Sequence, residues 1–346
     1  MNHYFMKKKK DIFLWSLLGS IVLLCCGCGQ KEAQVQQKTD TAMGTVIRQS
    51  VYVTDRNSSV TEDVMELLRS LEQDTLSWRL ETSEIYRINQ TAGQKGTVNV
   101  SEELSEILER CQEVSEKSNG AFDITIGGAA RLWNIDEWSV DGAGKLPDRK
   151  ELTQAVKDSG YEKLSVREGQ ISLPDGMQLD LGAVGKGIAL TKIAALLEQH
   201  EEVGGAVISV GGSILTFGSR PEGGSWRVGI VDPADTSANI GWLELTGQWC
   251  VSTSGDYERY VEIDGVRYHH ILDPKTGYPA RSGVHSVTIL MRDGLLGDAL
   301  STACFVLGAQ EGMQLAKAYG AEALFVDLDG NISMTEGMEQ YFHSFQ

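Results

Sequence analysis

Short runs of β-branched and aromatic residues, separated by glycine- and aspartate-rich turns, fill the sequence from residue 206 to residue 291. Runs of this length and composition are typical of strands joined by tight turns. The six runs cover residues 206–217, 226–231, 242–245, 257–263, 266–271 and 284–291. This part of the chain is therefore predicted to be mostly sheet.

Helical periodicity flanks this region on both sides. Residues 45–53 form a predicted strand, and apolar residues then recur at helical spacing, with Ser101 and Asp148 as predicted N-caps. The predicted helices cover residues 64–71, 101–111, 148–156, 188–197, 295–307 and 311–319, and a hairpin is predicted at 323–334. We predict an α+β fold: a single composite domain with a mixed or antiparallel sheet and flanking helices.

The N-terminus has the layout of an export signal. Four lysines at 7–10 precede an apolar stretch at 12–24 and then cysteines and glycines. We predict a lipoprotein signal peptide at 1–27 with lipidation of Cys28, and Cys26 remains an alternative. An uncleaved N-terminal anchor helix is the other interpretation; either one places the domain outside the cytoplasm at the cell membrane. Residues 28–40 are polar and are predicted to be a flexible tether to a domain at 41–346.

Charge and cysteine usage limit the classes of partner and cofactor. The formal charge of −17 repels phosphate backbones, so nucleic acid is not expected as a partner. Beyond the N-terminus, Cys111, Cys250 and Cys304 are odd in number and widely spaced. They indicate neither a disulfide framework nor a zinc site, and are predicted to pack as small hydrophobic residues.

A glycine-rich segment at 180–187 lies between a predicted strand at 177–181 and a predicted helix. Glycines allow close backbone approach, and the free N–H groups of a helix N-terminus attract anions. Lys186 adds a positive charge, so the segment suits a phosphate or pyrophosphate, although its spacing is neither that of a P-loop nor that of a dinucleotide fingerprint. A tight structural turn is the alternative.

Three further groups of polar residues are candidates. Residues 253–257 and 269–277 are predicted to form two neighbouring polar turns, in which His269 and His270 point to opposite faces so that only one serves a site. Asp298, Ser301 and Thr302 fall on one helical face, an all-oxygen set that suits Mg²⁺ or Ca²⁺. Residues 120–125 follow a predicted helix. Ordinary turns, a solvated or capping aspartate and a simple connection are the alternatives.

Taken together and in this order, the motifs resemble the ApbE family of FAD:protein FMN transferases. The motifs are Met43-Gly44-Thr45, Gly120-Ala121-Phe122-Asp123-Ile124-Thr125, residues 180–187, Ser209-Val210-Gly211-Gly212, residues 253–257, residues 270–277 and Asp298. The resemblance covers the chain from about Thr41 almost to its end. It implies an ApbE-like, T-fold-related architecture.

The resemblance also implies an activity. A Mg²⁺-dependent, membrane-tethered enzyme would split FAD at its pyrophosphate, link FMN to a Thr or Ser hydroxyl of an acceptor protein and release AMP. The acceptor would be a redox-pump subunit or an extracellular flavoprotein. Two alternatives remain: an FAD pyrophosphatase that yields FMN and AMP, and a non-catalytic FAD-binding lipoprotein.

The resemblance further implies which residues act. The FAD contacts it implies are Met43, Trp78, Ala121, Phe122, Asp123, Asp180, Lys186, His270 and Ile271, with stacking expected from the aromatic rings. The implied Mg²⁺ ligands are the Ala183 carbonyl, Asp298, Ser301 and Thr302. Gly185 stands where the family commonly has alanine.

Physical reasoning then assigns roles within this set. Lys186, Asp298 and Mg²⁺ are expected to neutralise charge on the pyrophosphate. His270 is the candidate general base, because the ordinary pKa of a histidine lies near neutrality. Asp256 and Asp273 are its rivals for that role.

Overall fold

An antiparallel sheet of eight strands forms the centre of the fold. The computed structural model describes residues 33–345 except residues 95, 136, 139–143 and 168. The strands are β1 (Gln34–Ala42), β2 (Thr45–Val53), β3 (Val98–Asn99), β4 (Ser165–Arg167), β5 (Gln170–Ser172), β6 (Val203–Val210), β7 (Ser213–Gly218), β8 (Trp226–Val231), β9 (Asn239–Leu245), β10 (Trp249–Gly255), β11 (Tyr260–Ile263), β12 (Val266–His269), β13 (Val284–Met291), β14 (Glu322–Asp327), β15 (Ile332–Met334) and β16 (Phe342–Ser344). The order in the large sheet is β1-β2-β6-β7-β10-β13-β14-β15.

The helices of the described residues all lie between strands along the chain. They are α1 (Val60–Ser70), α2 (Glu84–Asn89), α3 (Glu102–Lys117), α4 (Gly127–Trp133), α5 (Arg149–Asp158), α6 (Gly185–Gln199), α7 (Gly294–Leu307) and α8 (Ala309–Ala318). A π-helical turn at Leu71–Leu76 extends α1. The predicted caps are confirmed: the Ser101 hydroxyl accepts the Leu104 N–H, and the Asp148 carboxylate accepts the N–H groups of Lys150 and Glu151.

The two faces of the large sheet bury different cores. On β13, Val287 and Ile289 belong to the core under the helices, whereas Leu290 belongs to a second core. Alternation of this kind follows from the two-residue period of a strand. Helices α6 and α7 cover one face, and the small sheet β16-β9-β8 covers the other. The α+β prediction with an antiparallel sheet and flanking helices is confirmed.

The predicted tether requires a correction. Residues 34–40, assigned to a flexible tether, belong to β1, which pairs with β2 from Gln34 opposite Val53 to Ala42 opposite Thr45. The polar composition fits an edge strand, because β1 is bonded on one side only and most of its side chains are exposed or half-buried. Residues 1–32, including the signal peptide and Cys28, lie outside the described residues.

Three strand boundaries also differ from prediction. The run at 206–217 is two strands joined at Gly211, whose φ of 61° requires glycine. Strand β10, at 249–255, was missed because the segment was taken for a polar turn. The predicted strand at 177–181 contains only an isolated bridge between Gln178 and Ile126. Within the described residues, we find no helix long and apolar enough to cross a membrane.

The three described cysteines are buried and free, as the sequence predicted. Burial raises the pKa of the Cys111, Cys250 and Cys304 thiols to about 12. Because the thiolate is the reactive form, we expect iodoacetamide at pH 8 to leave all three unmodified in a native protein that begins at Gly29. Peptide mass spectrometry would measure this, with a denatured sample as control. Rapid labelling of any one in the native protein would contradict its burial.

Candidate functional site

The N-terminus of α6 forms an unusual contact with α7. The Gly187 N–H donates to Oδ2 of Asp298 at 2.9 Å. Gly187 is the third residue of α6, so its N–H has no acceptor within the helix, and the Asp298 carboxylate supplies one. Among the residues that the structure describes, no backbone hydrogen bond ends on the Ala183 carbonyl. The turn before the helix is held by the Gly182 N–H, which donates to Oδ1 of Asp180 at 2.8 Å.

Close packing of two helices brings the charged groups together. A Cβ on Gly187 would lie 2.1 Å from the Gly294 carbonyl oxygen, so only glycine permits this approach of α6 to α7. Asp298 is 2% exposed, and its Oδ1 lies 3.7 Å from Nζ of Lys186 and 3.4 Å from Oγ of Ser213. A buried carboxylate therefore faces a lysine at a helix N-terminus, and the family resemblance had implied roles for both Lys186 and Asp298 at one site.

Hydroxyl groups surround Asp298 on the same side of the sheet. The Ser301 hydroxyl donates to the Asp298 carbonyl at 2.9 Å and lies 2.8 Å from Oγ of Ser254. Thr302 is half-buried, and its Oγ1 lies 3.5 Å from the same Ser254 oxygen. The Ser301 hydroxyl is thus engaged within the protein, whereas that of Thr302 is more available to a ligand.

The donor chemistry of this group suits a magnesium ion. A carboxylate, a hydroxyl and a backbone carbonyl without a hydrogen bond are oxygen ligands, which Mg²⁺ prefers. The residues present, Asp298, Thr302 and Ala183, therefore fit the ion. The described residues contain no cluster of three or more His, Cys, Asp or Glu side chains that could hold a metal ion. The ligand set named here contains only one such side chain, that of Asp298.

Two glycine turns border the charged group. Between β1 and β2, Met43 adopts a positive φ of 53°, and its N–H donates to Oε2 of Glu72 at 2.8 Å. Between β6 and β7, Gly211 lies against Thr45 and the stem of Lys186. The turn after β1 borders an open cavity of about 540 Å³, lined by Thr41, Ala42, Met43, Gly44, Thr45, Val46 and Glu72.

Residues 120–125 form a buried connection, the alternative that the sequence left open. Both oxygens of Asp123 are engaged: Oδ1 accepts the N–H and hydroxyl of Thr125, and Oδ2 accepts the Tyr161 N–H at 2.9 Å. Burial raises the pKa of Asp123. Ala121 and Phe122 are 3% and 2% exposed. The expectation that the Phe122 ring stacks on FAD is not supported, because the ring lies in the main core.

The Trp78 indole is half-buried, packs against the main core and lies beside two arginines. The guanidinium carbons of Arg79 and Arg131 are 4.0 and 4.5 Å from its ring centroid. Arg131 also donates to the side-chain oxygen of Gln178 and interacts electrostatically with Asp180. Trp78 and Asp180, predicted to contact the same ligand, are thereby linked through Arg131.

The two adjacent histidines differ in their surroundings. His269 is 2% exposed; its Nε2 bonds the Ala280 carbonyl at 3.0 Å, and its ring packs edge-on against Phe305. Nδ1 of His270 lies 3.2 Å from the Arg259 carbonyl. Burial, reinforced by Arg259 and Lys186, holds the pKa of His270 well below its usual range. The neighbouring Ile271 is 5% exposed and packs in the core.

Comparison with known proteins identifies the family. The model of the ApbE family matches residues 43–325. The chain belongs to the ApbE family. A curated relative, the FAD:protein FMN transferase of Treponema pallidum, is 34% identical over 354 residues, covering 95% of this chain and 96% of the relative. That of Klebsiella pneumoniae is 34% identical over 300 residues, covering 85% and 89%.

Solved structures of the ApbE family have the same fold. The ApbE protein of Thermotoga maritima superposes with a TM-score of 0.79 at 31% identity, covering 90% of this chain and 100% of that one. The apo form of the flavinyl transferase ApbE of Pseudomonas stutzeri gives a TM-score of 0.77 at 28% identity, covering 90% and 97%.

Two side chains near the ApbE-family motifs were missed by sequence reasoning. Burial raises the pKa of Glu258, whose carboxylate interacts with Lys186 and Asp298 and lies against Gly212. Because Glu258 directly follows the motif at 253–257, its position in the sequence could have identified it as a candidate site residue. Arg131 had no such signal, because nothing in the sequence of α4 relates it to Trp78.

The rival bases in this ApbE-family site are engaged to different extents. Oδ2 of Asp256 lies 2.8 Å from Nδ1 of His285, and its Oδ1 is buried with no hydrogen-bond partner among the described residues. Oδ1 of Asp273 accepts the Lys275 N–H at 2.9 Å within its own turn. His270 stays the candidate base, and Asp256 stays its rival.

Proposed function

We propose that this chain transfers the FMN moiety of FAD to a Thr or Ser hydroxyl of an acceptor protein and releases AMP, with Mg²⁺ as cofactor. Curated relatives that are 34% identical bear the name FAD:protein FMN transferase. The observation that carries the proposal is the meeting of Lys186, Asp298 and the glycine-rich N-terminus of α6. This arrangement supports the proposal, because a lysine and the positive end of a helix dipole both favour the binding of a pyrophosphate.

Different residues of the chain would have different roles in binding Mg²⁺ and FAD. Asp298, Thr302 and the Ala183 carbonyl would hold Mg²⁺, with Ser301 keeping Asp298 and Ser254 in place. The chemistry that Mg²⁺ supplies when bound is neutralisation of charge on the non-bridging phosphate oxygens. Lys186 would contact the same pyrophosphate through Nζ. Met43, which borders the open cavity beside β1, and Asp180 would contact the rest of FAD, with Ala121, Asp123 and Ile271 as the further contacts that the resemblance implies.

In the transfer step, the acceptor hydroxyl oxygen forms a bond to the phosphorus of the FMN half. The bond from that phosphorus to the bridging oxygen breaks, and AMP leaves with the electron pair. His270 takes the hydroxyl proton. A carbonyl oxygen can only accept a hydrogen bond, so Nδ1 of His270, which contacts the Arg259 carbonyl, must carry the ring proton. Nε2 of His270 is then the basic nitrogen.

A reconstitution assay tests the function. The protein from Gly29 onward is incubated with FAD, Mg²⁺ and a Thr-containing acceptor peptide, and AMP and peptide mass are measured. We expect acceptor-dependent AMP and a mass gain of FMN minus water. AMP without acceptor would favour the pyrophosphatase alternative. FAD binding with no AMP for any acceptor would favour the non-catalytic carrier.

The His270→Ala variant tests the base. We expect a loss of about 100-fold or more in transfer with little change in FAD affinity, the usual contribution of a positioned base. Because burial lowers the pKa of His270, the ring is neutral at pH 7, and the acid limb of the wild-type rate profile should lie below pH 6.5. Turnover within about twofold of wild type, with FAD still bound, would remove His270 from this role.

The location is also a proposal: the protein is anchored to the cell membrane by a lipid on Cys28, facing the extracytoplasmic side. The polylysine and apolar segments of residues 1–27 support it. Mass spectrometry of the mature N-terminal peptide tests it, because a lipid on Cys26 or an intact N-terminus would give different masses.

A further inference from the structure

Strand β1 leaves one edge of the large sheet open. It is the first strand in the sheet order, and no strand of the described residues pairs with its outer side. It runs for nine residues without a proline, and its register with β2 is continuous from Gln34 to Ala42. Edge strands are usually short, bulged or charged, because their unpaired N–H and C=O groups can bond another chain. β1 therefore has the form of a template for an added strand.

The turn after β1 determines which backbone groups point outward. Met43 and Gly44 have φ values of 53° and 66°, as a type I′ turn requires, and in such a turn the carbonyl before it bonds the N–H after it. Ala42 therefore bonds β2, and bonding alternates along the strand. The Thr41 N–H donates to Oδ1 of Asp40 at 2.8 Å, in agreement with this alternation. The N–H groups that point to the open edge are those of Val35, Gln37 and Thr39.

The side chains of β1 leave this edge uncharged. Nζ of Lys38 lies 3.0 Å from Oε1 of Glu62, and Oδ2 of Asp40 lies 2.8 Å from Nη2 of Arg69. Both charges of β1 are thus engaged with α1. The side chains at positions 35, 37 and 39 are uncharged and exposed. An incoming strand would meet no charge at the positions where it pairs.

The open edge leads to the candidate site. β1 ends directly before Met43, whose methyl lies 3.6 Å from the position that a Cβ on Gly185 would occupy at the N-terminus of α6. Thr45 and the stem of Lys186 both border Gly211. The open cavity of about 540 Å³ lies at the same turn. A chain that follows β1 would therefore arrive beside the groups that are proposed to bind the pyrophosphate.

We propose that the open edge of β1 binds the acceptor protein: an extended segment of the acceptor adds a strand beside residues 35–39 and carries its Thr or Ser to the turn at Met43. The inference rests on the proposed function, which requires a protein hydroxyl as the second substrate. Main-chain hydrogen bonds supply the affinity when a peptide adds a strand to a sheet edge. An extended segment also places a side-chain hydroxyl at a site that a folded surface would reach less easily.

Strand spacing predicts where the modified residue lies in the acceptor. An added strand would run about 4.8 Å beyond β1, and so about 10 Å from β2, which begins at Thr45 beside Gly211. Three extended residues span about 10 Å. We therefore expect about three residues between the last paired residue of the acceptor and its Thr, with all paired residues on one side of that Thr.

Transfer to synthetic peptides tests the inference on the protein from Gly29 onward. A library of peptides of about fifteen residues, with a central Thr and randomised flanks, is incubated with FAD and Mg²⁺, and mass spectrometry identifies the flavinylated members. The best acceptor is then remade with one backbone N–H at a time replaced by N-methyl. We expect kcat/KM for the peptide to fall about tenfold at alternate positions on one side of Thr, because each such change removes a hydrogen bond to β1. The intervening positions should change by less than threefold.

Two substitutions at Gln37 probe the same bonds from the side of this chain. Gln37→Pro removes the outward N–H and leaves the bonds of Gln36 and Lys38 to β2, whereas Gln37→Ala keeps that N–H. We expect the KM for the acceptor peptide to be about tenfold higher in Gln37→Pro than in Gln37→Ala, with kcat and the FAD dissociation constant equal in the two. Thermal melts show whether both variants are folded, and the N-methyl series decides the question if Gln37→Pro is unstable.

Other results would overturn the inference. Transfer that tolerates N-methylation at every position would do so, as would a loss without two-residue alternation or an equal acceptor KM in the two folded Gln37 variants. A second copy of this chain is another possible occupant of such an edge: a dimer in sedimentation that Gln37→Pro dissociates, with acceptor KM unchanged, would also overturn it. Wild-type protein that transfers FMN to no peptide of the library would overturn the proposed function as well, so the two failures are distinguishable.

Discussion

Replacing Asp298 by asparagine is expected to reduce FMN transfer by about 100-fold or more at saturating FAD. Asparagine has nearly the same shape and can still accept the Gly187 N–H, but it lacks the negative charge that faces Lys186 at 3.7 Å and that would bind Mg²⁺. The measurement is AMP release with acceptor across a Mg²⁺ titration. The apparent Mg²⁺ requirement should rise along with the loss of rate.

A matched control lies on the same helix. Asp293→Asn makes the same chemical change at the N-cap of α7, where asparagine also caps well, and disturbs only a partly exposed ion pair with Arg110. It should keep transfer within about twofold. If Asp298→Asn kept a third of wild-type activity, or if both variants lost activity equally, the assigned role of Asp298 would be wrong.

Replacing Gly187 by alanine is expected to lower the free energy of unfolding by about 3 kcal/mol, because the new methyl group would overlap the Gly294 carbonyl and Cβ of Asp298. Helices α6 and α7 would have to separate, and the spacing between Lys186 and Asp298 would change with them. Urea denaturation measures the first effect, and AMP release by the folded fraction measures the second.

Gly185→Ala, two residues earlier in the same helix, is the control. Its nearest neighbour would be the Met43 methyl at 3.6 Å, an ordinary contact. The unfolding free energy should stay the same or rise by up to about 1 kcal/mol, since alanine restricts the unfolded chain more than glycine does. Similar effects of the two substitutions would show that the helix–helix contact does not depend on Gly187.

Local signals in the sequence predicted much of this fold. The caps at Ser101 and Asp148, the strand 284–291 and the turn before α6 each depend on neighbouring residues, and they were predicted correctly. Strand β1 was missed because an edge strand tolerates polar residues on most of its length. Strand β10 was missed because its serines and threonines were interpreted as a polar turn of the site, although they lie on a strand of the large sheet.

Within the site, side chains that are distant in sequence limited prediction. The pairing of Lys186 with Asp298 was anticipated only through the family resemblance, because no local pattern specifies which helix packs on which. The Phe122 ring was predicted to stack on FAD although it is buried in the core. The sequence of a motif does not show whether its aromatic residue is buried or exposed to a ligand. The position of Arg131 beside Trp78 follows from tertiary packing alone, so the sequence could not predict it.

Strand β1 would limit the distance between the site and the membrane under the proposed anchoring on Cys28. With a lipid on Cys28, only residues 29–33 separate the membrane from the first strand residue, a span of at most about 18 Å when fully extended. The nine residues of β1 add about 30 Å before the chain reaches Met43 at the site. Under the proposed anchoring, the acceptor hydroxyl would therefore be modified within about 50 Å of the bilayer surface.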